Sequence, residues 1–393
     1  MDVRAILLIG GAQNQSAGSG AESETVVGVP LATVDVLGKP VVHRVAEQLL
    51  AQGVSRITVV ADAGANTPAT ARQNLPAGAE FVLAEAGQLW RDGENAFEKT
   101  SDEGAELVIV WRLGSYVEFN VEPLVQAHLD QGARTTAVCD ANGEALEIFV
   151  VCGSRRNDAA YLFRHQLQGT RMPGCTYRHF GYVNRLRTVA DLRQLTADGL
   201  LLRNAVRPIG REIKPGVWLG EGARVQRGAR LVAPCYVGAR ARVRAAVVLT
   251  RAAAIEHHAE VDCGTVVDGS NVLPFSYVGA GLDVCQSIVG YRKIAPLKRP
   301  VEVEVTDPKL VGMASEHAPV RVASKAGALF AFLPMQLIRG VLAKKRCEQE
   351  PDLASAINAP AAALREPLGQ PPSAHNSAEF PANMVVARRY GNE

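Results

Sequence analysis

The sequence predicts an α/β domain followed by an all-β one: a doubly wound, Rossmann-like sheet over residues 1–202, then a parallel β-solenoid over residues 203–312. Two observations carry this. Up to about Thr196, short apolar runs alternate with amphipathic stretches of helical length, the pattern of strands and helices in turn. From Ile213 onward an aliphatic residue recurs every six positions: Ile213, Leu219, Val225, Leu231, Val237, Val243, Leu249, Ile255, Val261 and Val267. Four residues after each comes a small or slim one: Val217, Ala223, Ala229, Cys235, Ala241, Val247, Ala253, Ala259, Thr265 and Asn271.

In the first domain, Arg4–Ile9 reads as a buried strand ending at Gly10-Gly11. A polar loop rich in Gly, Ser and Ala follows to Gly28, and Gly38-Lys39-Pro40 makes a turn. Val41–Gln52 is an amphipathic helix that Gly53 stops, and Ser55–Ala61 is the next strand. Further strands are expected at Phe81–Ala84, Glu106–Trp111, Thr135–Asp140 and Glu147–Val151. Helices are expected at Gln88–Thr100, Val121–Gln131, Asp158–Gln168 and Val189–Thr196. The domain ends near Leu202.

The six-residue register fits neither a helix nor simple strand alternation. It fits a coil of three short faces, one hexapeptide each, whose apolar edge is buried only when coils stack. The aliphatic residue is expected to point inward and the small one to lie where the chain bends. Gly220, Gly238 and Gly279 fall where the backbone is crowded. The phase slips by one after Leu273 and resumes at Val278 and Val284. Val301–Val305 reads as a capping strand and Asp307–Gly312 as its close. Residues 313–346 form an apolar and basic segment. Within it, Ala326–Leu342 reads as packing on the solenoid or another subunit, with a membrane surface as the alternative. Residues 347–393 have a disordered composition.

Composition narrows the function classes. The chain has 393 residues and a formal net charge of +2, which gives no global argument for nucleic acid. Arginines do cluster on the solenoid, at Arg224, Arg227, Arg230, Arg240, Arg242, Arg244 and Arg251. They read either as a solvated face or as a basic stripe for an anionic partner or a neighbouring subunit. Seven scattered cysteines without a C-x-x-C pair read as reduced thiols of a cytoplasmic protein and offer no metal site. The N-terminus lacks a signal-peptide pattern, and no stretch reaches the roughly 18 apolar residues that a membrane span needs.

Ligands of open α/β sheets sit at the carboxyl ends of the strands. Gly10, Gly11, Gly18, Gly20, Lys39, Gly114 and Ser115 lie in the loops expected there and are the candidate nucleotide-binding residues. Glycine-rich loops offer N–H groups to phosphate. On the solenoid, His257 and His258 occupy one hexapeptide at outward positions. They read as a surface pair or, in an acyltransferase, as a general base. His43 and His128 read as surface or packing residues of helices.

The order of motifs resembles the sugar-1-phosphate nucleotidyltransferases that carry a C-terminal β-helix, the mannose-1-phosphate guanylyltransferase kind. The resemblance runs from AILLIGG through Pro30-Leu31-Ala32-Thr33, Gly38-Lys39-Pro40 and GVSRITVVAD. It continues through Glu106–Val138 and GYVNRLRTVADLRQL to DGSNVLPFSYVGAGLDVCQSIVG, so it spans about Arg4 to Gly312. It implies a left-handed β-helix. It also implies attack of a sugar-1-phosphate on the α-phosphate of a nucleoside triphosphate, with cationic groups and Mg²⁺ held by carboxylates.

The chain departs from that pattern where the chemistry should be. Ala12–Gly28 carries no Arg or Lys and holds Glu22 and Glu24. Thr33-Val34-Asp35-Val36-Leu37 lacks the family's lysine. The family's Gly-Asp metal loop is Gly114-Ser115 here, and its second metal carboxylate aligns near Arg185. A guanidinium does not bind Mg²⁺. The expectation is therefore a diverged, catalytically impaired homologue that binds a nucleotide or sugar nucleotide, and a homo-oligomer formed through the solenoid or residues 326–342. An active enzyme remains the alternative, with Mg²⁺, Glu118 as a displaced carboxylate, or Arg185 holding a phosphate.

Overall fold

The computed structural model describes residues 1–10, 25–63, 66–167, 175–299 and 301–315. Its first region is a seven-stranded sheet. The strand order is Cys175–Arg178, Thr135–Cys139, Ala145–Cys152, Leu107–Arg112, Val3–Ile9, Arg56–Asp62 and Ala79–Ala84. Neighbours run parallel, except that Ala145–Cys152 is antiparallel to both of its partners. The central strands are apolar on both sides because helices cover both faces. Leu7, Ile9, Ile57, Val59, Ile109 and Trp111 pack with the Val41–Ala51 helix, which presents Val42, Val45 and Leu49. Ile6, Leu8, Val60, Val108 and Val110 pack instead with Leu89, Phe97, Leu162 and Phe163 from the helices Leu89–Asp102 and Arg156–Arg164. Alternate residues of one strand thus feed two cores, as the two-residue side-chain period requires. A last helix, Val189–Leu200, starts at a capping box between Thr188 and Asp191.

The second region is built from many short strands, mostly parallel, in three sheets that the chain visits in turn. One sheet stacks Val225, Val243, Val261 and Val278. A second stacks Leu231, Leu249, Val267 and Val284, and a third Val237, Ile255, Val272 and Val289. These residues form one apolar core with Ala241, Val247, Ala253 and Ala259. Antiparallel strands close the edges: Arg211–Lys214 on Val217–Leu219, Lys293–Pro296 on Ser287–Gly290, and Val311–Met313 on Ser276–Val278.

Three details correct the sequence reading. The small residues do not mark the bends; they are buried beside the aliphatic ones, two inward residues per face. The bends fall one residue earlier, in columns of left-handed backbone such as Gly222, Arg240, His258 and Phe275. The phase slip precedes Val272, because Val267 still pairs with Leu249 while Val272 pairs with Ile255. There the corner of Arg251 and Ala252 is matched by Gly269, and Ser270 fills the buried space with bonds to the carbonyls of Asp268 and Val284. Asn271 therefore leaves the inward register and donates to Thr196 of the last helix at 2.9 Å. Ile213, the first residue of the series, lies on the exposed edge strand. The crowding at Gly220, Gly238 and Gly279 is present: a Cβ on any of them would overlap backbone of the next rung or the capping segment.

The two regions share a buried seam within one compact unit. Arg193 reaches from the last helix to the carbonyls of Gly269 (2.8 Å) and Arg251 (2.7 Å). The segment Ala326–Leu342 and the tail lie outside the described residues.

Candidate functional site

At the carboxyl edge of the sheet, the first strand and Leu107–Arg112 lie side by side, and Leu113 N–H bonds Leu8 C=O at 2.9 Å. Gly10 and Gly114-Ser115 thus leave from adjacent strands. Val183–Asn184 pairs with Tyr116–Val117 and delivers Arg185 to the same place. Gly114, Ser115 and Arg185 accordingly line one cleft with Arg112, Glu147 and Arg187. Gly11, Gly18 and Gly20 lie outside the described residues.

The cleft is filled by ion pairs. Arg112 meets Glu147 at 2.6 Å, and Arg185 meets Asp140 at 2.6 Å and Glu144 at 2.9 Å. Asp140 also accepts the N–H groups of Asn142 and Glu144, both at 2.9 Å. Burial pushes its carboxyl up, but Arg185 and those N–H groups outweigh this and hold it below the usual carboxylate range. Glu147 sits in left-handed backbone (φ 55°), a strained conformation for a glutamate. About 20 Å³ of space remains, room for roughly one water rather than the 300–1,000 Å³ of a small-molecule site. The donor set does not fit Mg²⁺: each carboxylate here is already turned to a guanidinium. Among the described residues, no group of three or more His, Cys, Asp and Glu side chains is placed to hold a metal ion.

The other sequence candidates lie elsewhere. Glu118 accepts bonds from the Tyr116 hydroxyl (3.1 Å) and Ala205 N–H (2.5 Å), outside the cleft. Lys39 pairs with Glu47 at 2.5 Å, and its turn belongs to the seam between the regions. Asp35–Val36 and Lys39–Pro40 form a hairpin whose two loop residues, Leu37 (φ 54°) and Gly38 (φ 92°), are both left-handed. That geometry exposes two adjacent N–H groups, and Glu256 accepts both at 2.8 Å. Arg44 takes the carbonyls, bonding Val36 at 2.5 Å and Leu37 at 3.0 Å. A Cβ at position 38 would overlap the Tyr236 hydroxyl, so the turn requires glycine.

His257 is not part of a free surface pair. Its Nε2 meets Asp35 Oδ2 at 2.7 Å and its Nδ1 meets His258 Nδ1 at 3.0 Å. The hexapeptide faces out of its own sheet but into the first region, which is why its outward register misled. Burial lowers the His257 imidazole, yet the bond and charge of Asp35 and the charge of Glu256 leave it above the ordinary value. Burial and Asp35 push Glu256 up to about 7. His43 and His128 are both buried; His43 bonds Ala71 C=O at 3.0 Å and His128 bonds Thr136 Oγ1 at 2.8 Å.

Sequence reasoning missed the Asp35–Glu256–His257 group. One cue was present: two acids and a base on segments that meet only if the hairpin docks on the solenoid. No family model matches this chain, and no curated protein does. Among the described residues, no helix is long and apolar enough to cross a membrane.

Proposed function

We propose that this protein is a non-catalytic relative of the sugar-1-phosphate nucleotidyltransferases, with residues 1–202 in that fold and residues 203–312 in a left-handed β-helix of hexapeptide repeats. Its role is assembly or regulation in polysaccharide precursor supply in the cytoplasm, as a homo-oligomer, rather than turnover. The observation that supports this most is Arg185, which stands beside Gly114-Ser115 with Asp140 and Glu144 bound to it. Where the resemblance implies a metal held by acids, the chain has a guanidinium held by acids. Ser115 and Arg185 stand where the resemblance implies the metal's carboxylates, so the pocket lacks ligands for the Lewis acid that stabilises a leaving pyrophosphate. Losing that contribution costs orders of magnitude in rate.

The test is release of pyrophosphate from the common nucleoside triphosphates with hexose-1-phosphates, with and without Mg²⁺. No magnesium-dependent release above background is expected. Any release that disappears in Asp140→Asn sinks the reading and restores the active enzyme.

A further inference from the structure

His258, next to the seam, opens onto a different space. A cleft of about 490 Å³ lies on the outside of the three-sheet region, lined by Arg224, Arg240, Arg242, His258, Glu260 and Phe275 among others. That volume is in the range of roughly 300–1,000 Å³ typical of small-molecule sites.

The register explains why these side chains meet. Gly222, Arg240, His258 and Phe275 form one column of left-handed corners, tied rung to rung by Arg240 N–H to Glu221 C=O (2.8 Å), His258 N–H to Ala239 C=O (2.9 Å) and Phe275 N–H to His257 C=O (3.1 Å). A second corner column is made of Gly228, Ala246, Gly264 and Gly281, three of them glycines that suit that backbone. The column at the cleft instead has arginine, histidine and phenylalanine at left-handed positions, each a strained choice. The corner geometry brings three large side chains to the rim of one cleft.

Charge points the same way. Arg224 lies directly beside Arg242 on the neighbouring strand, an unfavourable like-charge pair. The one carboxylate at hand, Glu260, is held by two bonds from Arg244 and only approached by Arg242 at 3.6 Å. Among the described residues, no carboxylate pairs with Arg224 or Arg240. His258 and Phe275 stack face over face with centroids 4.8 Å apart and planes 15° apart, an aromatic stack beside those guanidiniums. When His257 holds protons on both nitrogens, one toward Asp35, His258 accepts at Nδ1 and keeps its own proton on Nε2 as a donor.

We propose that this cleft is a binding site for a phosphorylated ligand with a planar ring, of the nucleotide class. Arg224, Arg240 and Arg242 take the phosphates and the ligand's ring extends the Phe275–His258 stack. This does not rest on the proposed ancestry of the first region, whose own cleft holds no comparable space.

The probes are ATP, inorganic pyrophosphate and adenosine, titrated calorimetrically into the full chain at low salt. ATP and pyrophosphate are expected to bind and adenosine not to. Joint Arg224→Glu and Arg240→Glu substitution should weaken both by at least about tenfold while leaving the melting temperature close to that of the parent. Phe275→Asn keeps a residue that tolerates left-handed backbone; it should weaken ATP by at least about threefold and spare pyrophosphate. No binding of either anion at about 1 mM, or undiminished binding in the double variant, overturns the site. Pyrophosphate binding as tightly as ATP, with Phe275→Asn without effect, overturns the nucleotide class.

Discussion

The two arginine clefts carry the same kind of charge and differ in what faces it. At the edge of the α/β sheet, Arg112 and Arg185 meet Glu147, Asp140 and Glu144, and little space is left. On the three-sheet region, Glu260 is held by Arg244 and approached only by Arg242, Arg224 and Arg240 pair with no carboxylate among the described residues, and a cleft stays open. A guanidinium opposite an acid is a plug; guanidiniums side by side without one are an electrostatic demand. Counting partners, rather than counting arginines, separates a filled cleft from an open one.

The seam supplies the extreme case, a buried carboxylate compensated by N–H groups, and the largest expected effect. Glu256 faces Asp35, His257, Arg44 and Tyr236, and its folded value of about 7 lies above its unfolded one. The folded state therefore holds the extra proton, and stability present below about pH 4.5 is lost as the pH rises toward 7, on the order of 3 kcal/mol. His257, also raised, adds loss in the same direction. His43 and His258 are lowered and act oppositely, costing stability as the pH falls below their ordinary range. Thermal melts from pH 5 to pH 8 should show the parent weakening toward pH 8 and Glu256→Gln weakening much less. Parallel curves would show that Glu256 is ionised throughout and that the turn N–H groups dominate.

The compensated cleft comes next. Asp140→Ala leaves Arg185 with Glu144 alone and strips two backbone N–H groups of their acceptor, and a loss of about 1–3 kcal/mol is expected in chemical denaturation. The uncompensated cleft comes last. Arg224→Ala should change stability by no more than about 0.5 kcal/mol, with a slight gain at low salt that high salt erases. A cost at Arg224 as large as that at Asp140 would erase the contrast between the clefts.

Much of this was legible in the chain. The six-residue register found the inward column from Val225 to Val267 because a face that packs only on its neighbours must repeat in sequence. Gly114, Ser115 and Arg185 line one cleft because adjacent strands deliver them, whereas Lys39, expected with them, lies at the seam. Two things were not legible. Asp140 and Glu147 read only as strand ends, and the service of Asp140, Glu144 and Glu147 to Arg112 and Arg185 depends on how the hairpin they form crosses the sheet edge. Glu256 looked like any outward residue of a repeat, because its partner turn lies 219 residues away. The corner column did leave a trace: Arg240, His258 and Phe275 recur at the rung spacing of the Val243, Val261 and Val278 column.

Magnesium titration bears most sharply on the proposed exchange of metal for guanidinium. The parent protein should show no magnesium-dependent rise in melting temperature and no calorimetric binding at millimolar Mg²⁺. Arg185→Asp, which places a carboxylate among Asp140, Glu144 and Glu147, should be destabilised without the ion and recover with it. Magnesium binding by the parent, abolished by Asp140→Asn, would contradict the reading of this cleft as closed by its own arginines.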